Sequence, residues 1–338
     1  MGKRWNSIKG CEKVMYDVVA LGESLIDFTP AGKDEMGMQM FTRNPGGAPA
    51  NVLAMYAKLG GKTAFIGKVG ADDFGLFLKA TMEKAKINCD GLLQDQEIPT
   101  TLAFVQLNER GDRSFTFYRK PGADIMLQTE EVPLKVLTDC HIFHFGSVSL
   151  TADPSRSATL SAAQTAKNAG AIISYDPNYR PVLWPDVAIA RNEILKAFSL
   201  VDLLKVSEEE MELLTGETDL EIGANKLAGM GPRVVFVTLG AKGAYFHTPV
   251  GNLLVSTYDV DTVDTTGAGD AFWGALLFFV SSELKNGILQ ISLDTWKNAT
   301  EFANAAGSLT TSGKGAIPAM PSREKILSCM AKNKRVPV

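Results

Sequence analysis

Four consecutive residues, Gly267-Ala268-Gly269-Asp270, could do chemistry together. They run directly into the apolar stretch 271–280, so their backbone N–H groups lie at a helix start. Unpaired donors and the helix dipole favour an anion there. Glycines let the backbone approach a phosphate closely, and the Asp270 carboxylate could accept a proton. Taken alone, such a segment reads first as a helix cap and a turn. Two standard nucleotide loops are excluded by spacing. Gly61-Lys62-Thr63 has the last residues of a P-loop, but Tyr56 stands where its first glycine is required. Gly267-Ala268-Gly269 opens like a dinucleotide-binding turn, but Phe272 occupies the third glycine position.

Other reactive groups are placed less suggestively. Ser207-Glu208-Glu209-Glu210 is a capping box, with serine at the N-cap and glutamate three residues on. His141 and His144 flank Ile142-Phe143 in a strand-like run, where a spacing of three puts them on opposite faces. They read as packed or hydrogen-bonded groups, not as metal ligands. Cys11, Cys89, Cys140 and Cys329 form neither a metal-ligand spacing nor a disulfide framework, which leads us to expect a reducing, cytoplasmic setting.

The elements that must hold these groups alternate in type. Short β-type runs at 18–21, 63–66, 142–145, 172–175, 203–206 and 234–239 are interleaved with helical patterns at 50–59, 156–169 and 192–198. This order predicts βαβ units and a mainly parallel sheet covered on both faces. The stretch 272–281 is apolar nearly all round and reads as a buried helix. Two regions break the pattern. Residues 25–41 carry short strands and turns. Residues 100–119 read as a β-hairpin around the turn Asn108-Glu109-Arg110-Gly111-Asp112. Both are expected to form a small sheet standing off the main one.

The 338 residues are 45% hydrophobic and 21% charged, with a net charge of −4. That balance suits a globular enzyme and argues against a nucleic-acid-binding face. The longest apolar run is too short to span a bilayer, so no membrane partner is expected. Lys3, Arg4 and Lys9 lack the apolar core of a secretory signal, and residues 1–16 are expected to be a poorly ordered extension.

The run Val263-Asp264-Thr265-Thr266-Gly267-Ala268-Gly269-Asp270-Ala271-Phe272 resembles the signature of the ribokinase-like (PfkB) carbohydrate kinases. Gly46-Gly47-Ala48-Pro49-Ala50-Asn51, Val69-Gly70-Ala71-Asp72-Asp73-Phe74-Gly75, Asp176-Pro177-Asn178-Tyr179-Arg180 and Thr238-Leu239-Gly240-Ala241-Lys242-Gly243 follow in the family's order. Phe117-Tyr118-Arg119-Lys120-Pro121-Gly122-Ala123-Asp124, Phe145-Gly146-Ser147, Leu183-Trp184-Pro185 and Lys205-Val206-Ser207-Glu208 are most similar to the bacterial and plant fructokinases.

The resemblance implies an α/β fold: a three-layer αβα sandwich over residues 17–330, with lid segments at about 25–44 and 98–122. It implies MgATP as phosphoryl donor and a sugar as acceptor, D-fructose first and 2-keto-3-deoxygluconate as the nearest alternative. A catalytically silent sugar-binding protein on the same fold is the alternative of another class. The matching Asp270 would be the general base, and Gly267, Ala268 and Gly269 the anion hole. Asp27, Gly46, Gly47, Asn51 and Arg180 would line the sugar pocket, with Phe104, Phe117 and Arg119 closing over it from the hairpin. Ser207, Thr238, Gly240 and Gly243 would lie along the nucleotide, with Asn304 and Gly307 near adenine. Glu210 would act on Mg2+ through water. Ser207 departs from the asparagine many members carry there. Asp264 and Thr266, with backbone from Thr310 and Gly315, match positions that bind a monovalent cation such as K+ in some members. An exposed lid edge offers a pairing surface, so a homodimer through the lid is a further expectation.

Overall fold

The computed structural model describes residues 15–107, 113–284 and 291–337. The expected turn at 108–112, Cys11 and nearly all of the 1–16 extension lie outside the described residues.

The strands are β1 (Tyr16–Leu21), β2 (Leu25–Lys33), β3 (Gln39–Gly46), β4 (Thr63–Gly70), β5 (Ile87–Asp95), β6 (Leu102–Leu107), β7 (Arg113–Tyr118), β8 (Cys140–Gly146), β9 (Ile172–Asp176), β10 (Leu203–Ser207), β11 (Val234–Thr238), β12 (Ala244–Thr248) and β13 (Gly251–Val255). The helices are α1 (Ala48–Lys58), α2 (Asp73–Lys84), α3 (Leu134–Thr138), α4 (Ser155–Asn168), α5 (Val187–Lys196), α6 (Glu208–Thr215), α7 (Leu220–Ala228), α8 (Ala268–Leu284), α9 (Leu293–Thr311) and α10 (Arg323–Lys332).

A nine-stranded sheet runs β13-β12-β11-β10-β9-β8-β1-β4-β5. It is parallel from β11 through β5, and β12 and β13 close one side antiparallel. The sequence pattern did not single out β5, β12 or β13.

Both faces of this sheet are covered, and the residues alternate accordingly. Val18 and Ala20 enter one core with Trp273, Phe236 and Met55, while Val19 and Leu21 enter the other with Phe143, Tyr175 and Phe198. Buried parallel strands therefore read as continuous apolar runs, whose residues alternate between two cores. Helix α8 is buried from Asp270 through Leu277, as expected from sequence, although Phe279 is exposed, and it lies between α1 and α9.

The second sheet has the order β3-β2-β6-β7. Two antiparallel hairpins are joined by a parallel β2–β6 pairing in which Asp27 faces Ala103 and Phe28 faces Phe104. Residues opposite one another share a face. Asp27, Asn44, Ala103 and Phe117 therefore lie on one side of this lid. Phe28, Arg43 and Phe104 lie on the other, where Phe28 meets Phe74 edge-on and Arg43 sits 3.9 Å over the ring of Phe77, both on α2. Phe104 stacks on Phe28 at 4.8 Å on this α2 side. The expectation that Phe104 closes over the sugar is thereby corrected, because the register turns it away from Asp27.

Candidate active site

Glycine at position 267 is required by two facts: φ is +75°, and a Cβ would stand 2.4 Å from that of Ala316. The turn it makes starts α8 and puts Asp270 in the first turn, buried. Asn51, in the first half of α1, donates its side-chain N–H to Asp270 Oδ2 at 2.8 Å. Asn51 Oδ1 is buried without a partner, an acceptor left over for a hydroxyl.

Burial pushes the Asp270 carboxyl up to about 6; Asp176 adds to this, and Lys205, Asn51 and Arg180 oppose it. Asp27 is also pushed up to about 6, by burial first, with Arg180 opposing and Asp270 adding. Asp27, Asp270 and Arg180 are thus close enough to act on one another electrostatically. Gly46 lies against Asp27, and a Cβ there would come within 2.3 Å of Oδ2. Gly47 precedes α1 as its N-cap.

A polar bed lies beneath the glycine turn. Lys205 is a buried lysine in an otherwise apolar strand and pairs with Asp176. A Cβ on Gly269 would stand 3.3 Å from its Nζ, so the ammonium lies against the glycine turn. Its pKa is displaced upward: burial alone would lower it, but Asp176, Glu210 and Asp270 together outweigh that. Behind it, His144 Nδ1 lies 2.9 Å from Ser174 Oγ, which also accepts from the Trp273 indole N–H at 2.9 Å. Burial pushes His144 down to about 4, so it stays neutral. Lys205 and Asp176 had no assigned role in the sequence reading. A lysine inside Leu203-Leu204-Lys205-Val206 was the available signal, because a buried lysine is nearly always paired.

Glu210 forms the expected capping box with Ser207: Ser207 Oγ accepts from Glu210 N at 3.1 Å, and Glu210 Oε2 accepts from Ser207 N at 2.8 Å. Its other oxygen accepts from Tyr179 N at 2.6 Å, which ties down the loop carrying Arg180. The carboxyl is displaced upward, chiefly by burial. Ser207 and Thr238 are paired at the carboxyl ends of β10 and β11, where Gly240 and Gly243 make the next turn. In open α/β sheets ligands bind at this edge.

Three of the expected site residues have structural partners of their own. Arg119 does not reach toward Asp27. Its guanidinium bonds Asp124 at 2.6 and 2.8 Å, Thr151 Oγ1 at 2.8 Å and the Val148 carbonyl at 3.1 Å, and both members of the ion pair are buried. Asn304 is buried, and its amide donates to the carbonyls of Val255 and Ser256, so it braces the end of β13. Gly307 lets α9 cross α8, with the Ala268 carbonyl 3.1 Å from where its Cβ would be. Phe117 remains on the Asp27 face of the lid. The Asp264 carboxylate gathers Thr266 N, Thr266 Oγ1 and Gly315 N at 2.7–3.0 Å, while Thr310 Oγ1 turns back to the Ala306 carbonyl.

The chain is similar to known proteins along nearly its whole length. Residues 15–323 match the model of the pfkB family carbohydrate kinases. The chain is 42% identical over 317 residues to the probable fructokinase-2 of Arabidopsis thaliana, covering 92% of this chain and 94% of the relative. Fructokinase-1 of Oryza sativa subsp. japonica is 43% identical over 93% of this chain and 97% of its own. Among solved structures, the fructokinase of Vibrio cholerae O395 in its fructose, ADP and calcium ion bound form is 37% identical with a TM-score of 0.83. It covers 94% of this chain and 99% of that one. The ATP-bound fructokinase of Xylella fastidiosa is 32% identical with a TM-score of 0.86 at the same coverage. By motif, by fold and by similarity along nearly its whole length, this chain belongs to the pfkB family of carbohydrate kinases.

Proposed function

We propose that the protein transfers the γ-phosphoryl group of ATP to the primary hydroxyl of D-fructose, giving fructose 6-phosphate and ADP. The observation that carries this is Asp270: a buried carboxylate at the start of α8, held by Asn51 and within electrostatic reach of Asp27 and Arg180. The sugar oxygen attacks the γ-phosphorus as its proton passes to Asp270, and the bond to the β-phosphate oxygen breaks. The N–H groups of the 267–270 turn take up charge on the transferred group, where fixed donors are most effective. General base catalysis contributes about 10²–10⁴-fold.

A divalent ion would come in on the phosphates, since no three acidic, histidine or cysteine side chains among the described residues gather into a metal cage. Asp176, Asp270 and Glu210 are three buried carboxylates acting on one lysine, Lys205. Glu210 already accepts two backbone N–H bonds and would reach Mg2+ through water. The ion would supply charge neutralisation to the phosphates. Asp264, Thr266 and Gly315 would hold a monovalent cation behind the turn.

We take residues 17–330 as one catalytic unit, with 25–44 and 98–122 as its lid. Exposed Met36, Met38, Phe41 and Tyr118 on the lid support pairing of two copies there. Cys89, Cys140 and Cys329 are free and buried, which supports a cytoplasmic setting. No helix among the described residues is long and apolar enough to cross a membrane.

Of the two arginines that could receive a substrate carboxylate, Arg119 is bound to Asp124, which leaves Arg180 and weighs against 2-keto-3-deoxygluconate. A coupled ADP-release assay across fructose, 2-keto-3-deoxygluconate, ribose and adenosine tests the proposal. Fructose should give the highest kcat/KM. Preference for the keto acid overturns the sugar assignment, and no turnover with any acceptor favours a binding protein.

A further inference from the structure

Glu23 has no place in the chemistry above, yet it lies where the lid joins the main sheet. It follows β1 and precedes β2, and it is 4% exposed. Helix α1 begins poorly provided for. Its N-cap is Gly47, which has no side chain to cap with, and its first turn holds no acidic residue. Glu23 supplies what is missing from 25 residues away: Oε1 accepts from Ala48 N at 3.0 Å. A carboxylate there also complements the helix dipole. The Glu23 backbone is pressed against the same place, its carbonyl oxygen 2.3 Å from where a Gly47 Cβ would be.

Helix α1 carries this anchoring on to the chemistry. Asn51 lies about one turn beyond Ala48, and its backbone N–H donates to the Gly47 carbonyl at 3.1 Å. Its side chain holds Asp270 Oδ2. The pose of the base therefore depends on the pose of the first turn of α1, which depends on Glu23. On its other side, Glu23 feels Asp124 and Arg119, the ion pair that follows β7. Oε2 of Glu23 is buried without a partner. Burial pushes the carboxyl up to about 7, and no side chain at position 47 could cap in its place, because φ there is +117° and a Cβ would meet the Glu23 carbonyl.

We propose that Glu23 is a positioning residue that fixes the first turn of α1 to the root of the lid, and through Asn51 sets the catalytic pose of Asp270. This rests on Asp270 being the base in the kinase reading. Misplacement of a catalytic group by a fraction of its contact distance costs rate far more than it costs ground-state binding.

The test measures kcat, the KM values for sugar and ATP, and Tm in Glu23→Ala, Glu23→Gln, Asn51→Ala and the Glu23→Ala/Asn51→Ala double variant. Glu23→Ala should lose about 10²-fold in kcat while KM for ATP stays within about twofold. Glu23→Gln keeps an oxygen for Ala48 N and should restore kcat to within about threefold of wild type. The double variant should be no slower than Asn51→Ala alone, because residues acting through one path are not additive. Losses that multiply in the double variant, or a Glu23→Ala enzyme with lowered Tm and wild-type kcat, overturn the proposal. If Glu23→Ala does not fold, Glu23→Met, which fills the space without an acceptor, takes its place with the same criteria. Wild-type enzyme inactive on fructose speaks against the sugar reading alone; the series is then run on whichever acceptor of the panel it phosphorylates.

Discussion

Replacing Asp270 by asparagine should separate activity from stability, and in opposite directions. The carboxyl is raised from 3.8 to about 6, chiefly by burial. Between those values the folded protein holds a proton that the unfolded chain has released, so this group's contribution to stability is complete below about pH 3.8 and is lost as pH rises through about 6. Above that, keeping the ionised carboxylate buried costs about 3 kcal/mol, at about 1.36 kcal/mol per pH unit. Asparagine resembles the neutral acid: its Oδ1 can still accept from Asn51, and it escapes the cost. Near pH 7.5 the variant should melt roughly 4 °C higher than wild type, given the entropy of unfolding of a chain this long. Near pH 4 the gain should vanish. Catalysis goes the other way, because the side-chain NH2 cannot take the sugar's proton, and kcat should fall by about 10²–10⁴. The assays are coupled ADP release and scanning calorimetry at both pH values. A variant retaining more than about a tenth of wild-type kcat refutes the base assignment. A Tm gain equal at both pH values refutes the electrostatic account.

The same geometry fixes further outcomes. In wild type, kcat/KM for fructose should decline as pH falls through about 6, where Asp270 and Asp27 both take up protons. Asn51→Leu removes a bond that lowers the Asp270 pKa, so a pH–rate profile should show its acid limb moved to higher pH; an unmoved limb contradicts the pairing. Arg119→Met should cost about 3–5 kcal/mol by leaving Asp124 buried and unpaired. Denaturant unfolding measures that loss, and the KM for fructose should change less than about threefold. A tenfold rise in KM would return Arg119 to the sugar pocket.

The parts of the site legible in the sequence were those built from neighbouring residues. The 267–270 turn, the Ser207–Glu210 capping box and the alternation of strands and helices each depend on spacing within a few positions. Faces set by distant pairing were not legible. Phe104 and Phe117 sit in one hairpin, but only the register against β2, far away in the chain, decides which of them shares a face with Asp27. Arg119 looked free because nothing in its residue type reveals that Asp124 and Thr151 fold onto it. Asn304 was expected near adenine, and nothing in the mixed polarity of α9 reveals that its amide closes two carbonyls at the end of β13. Glu23 gave no signal, since the glycine it compensates is 24 positions further on.

The lid is assembled from two hairpins separated by α1, β4, α2 and β5. Its parallel seam, where Ile26 meets Leu102, can close only after all of that intervening chain has been made and ordered. During synthesis the β2–β3 hairpin therefore lacks its β6 neighbour, and Phe28 and Phe41 lack Phe104, until the second hairpin has been made. The lid is thus a late product of folding, and no single contiguous segment carries it. Grafting another kinase's lid onto this scaffold requires exchanging two insertions together with the roots that hold them.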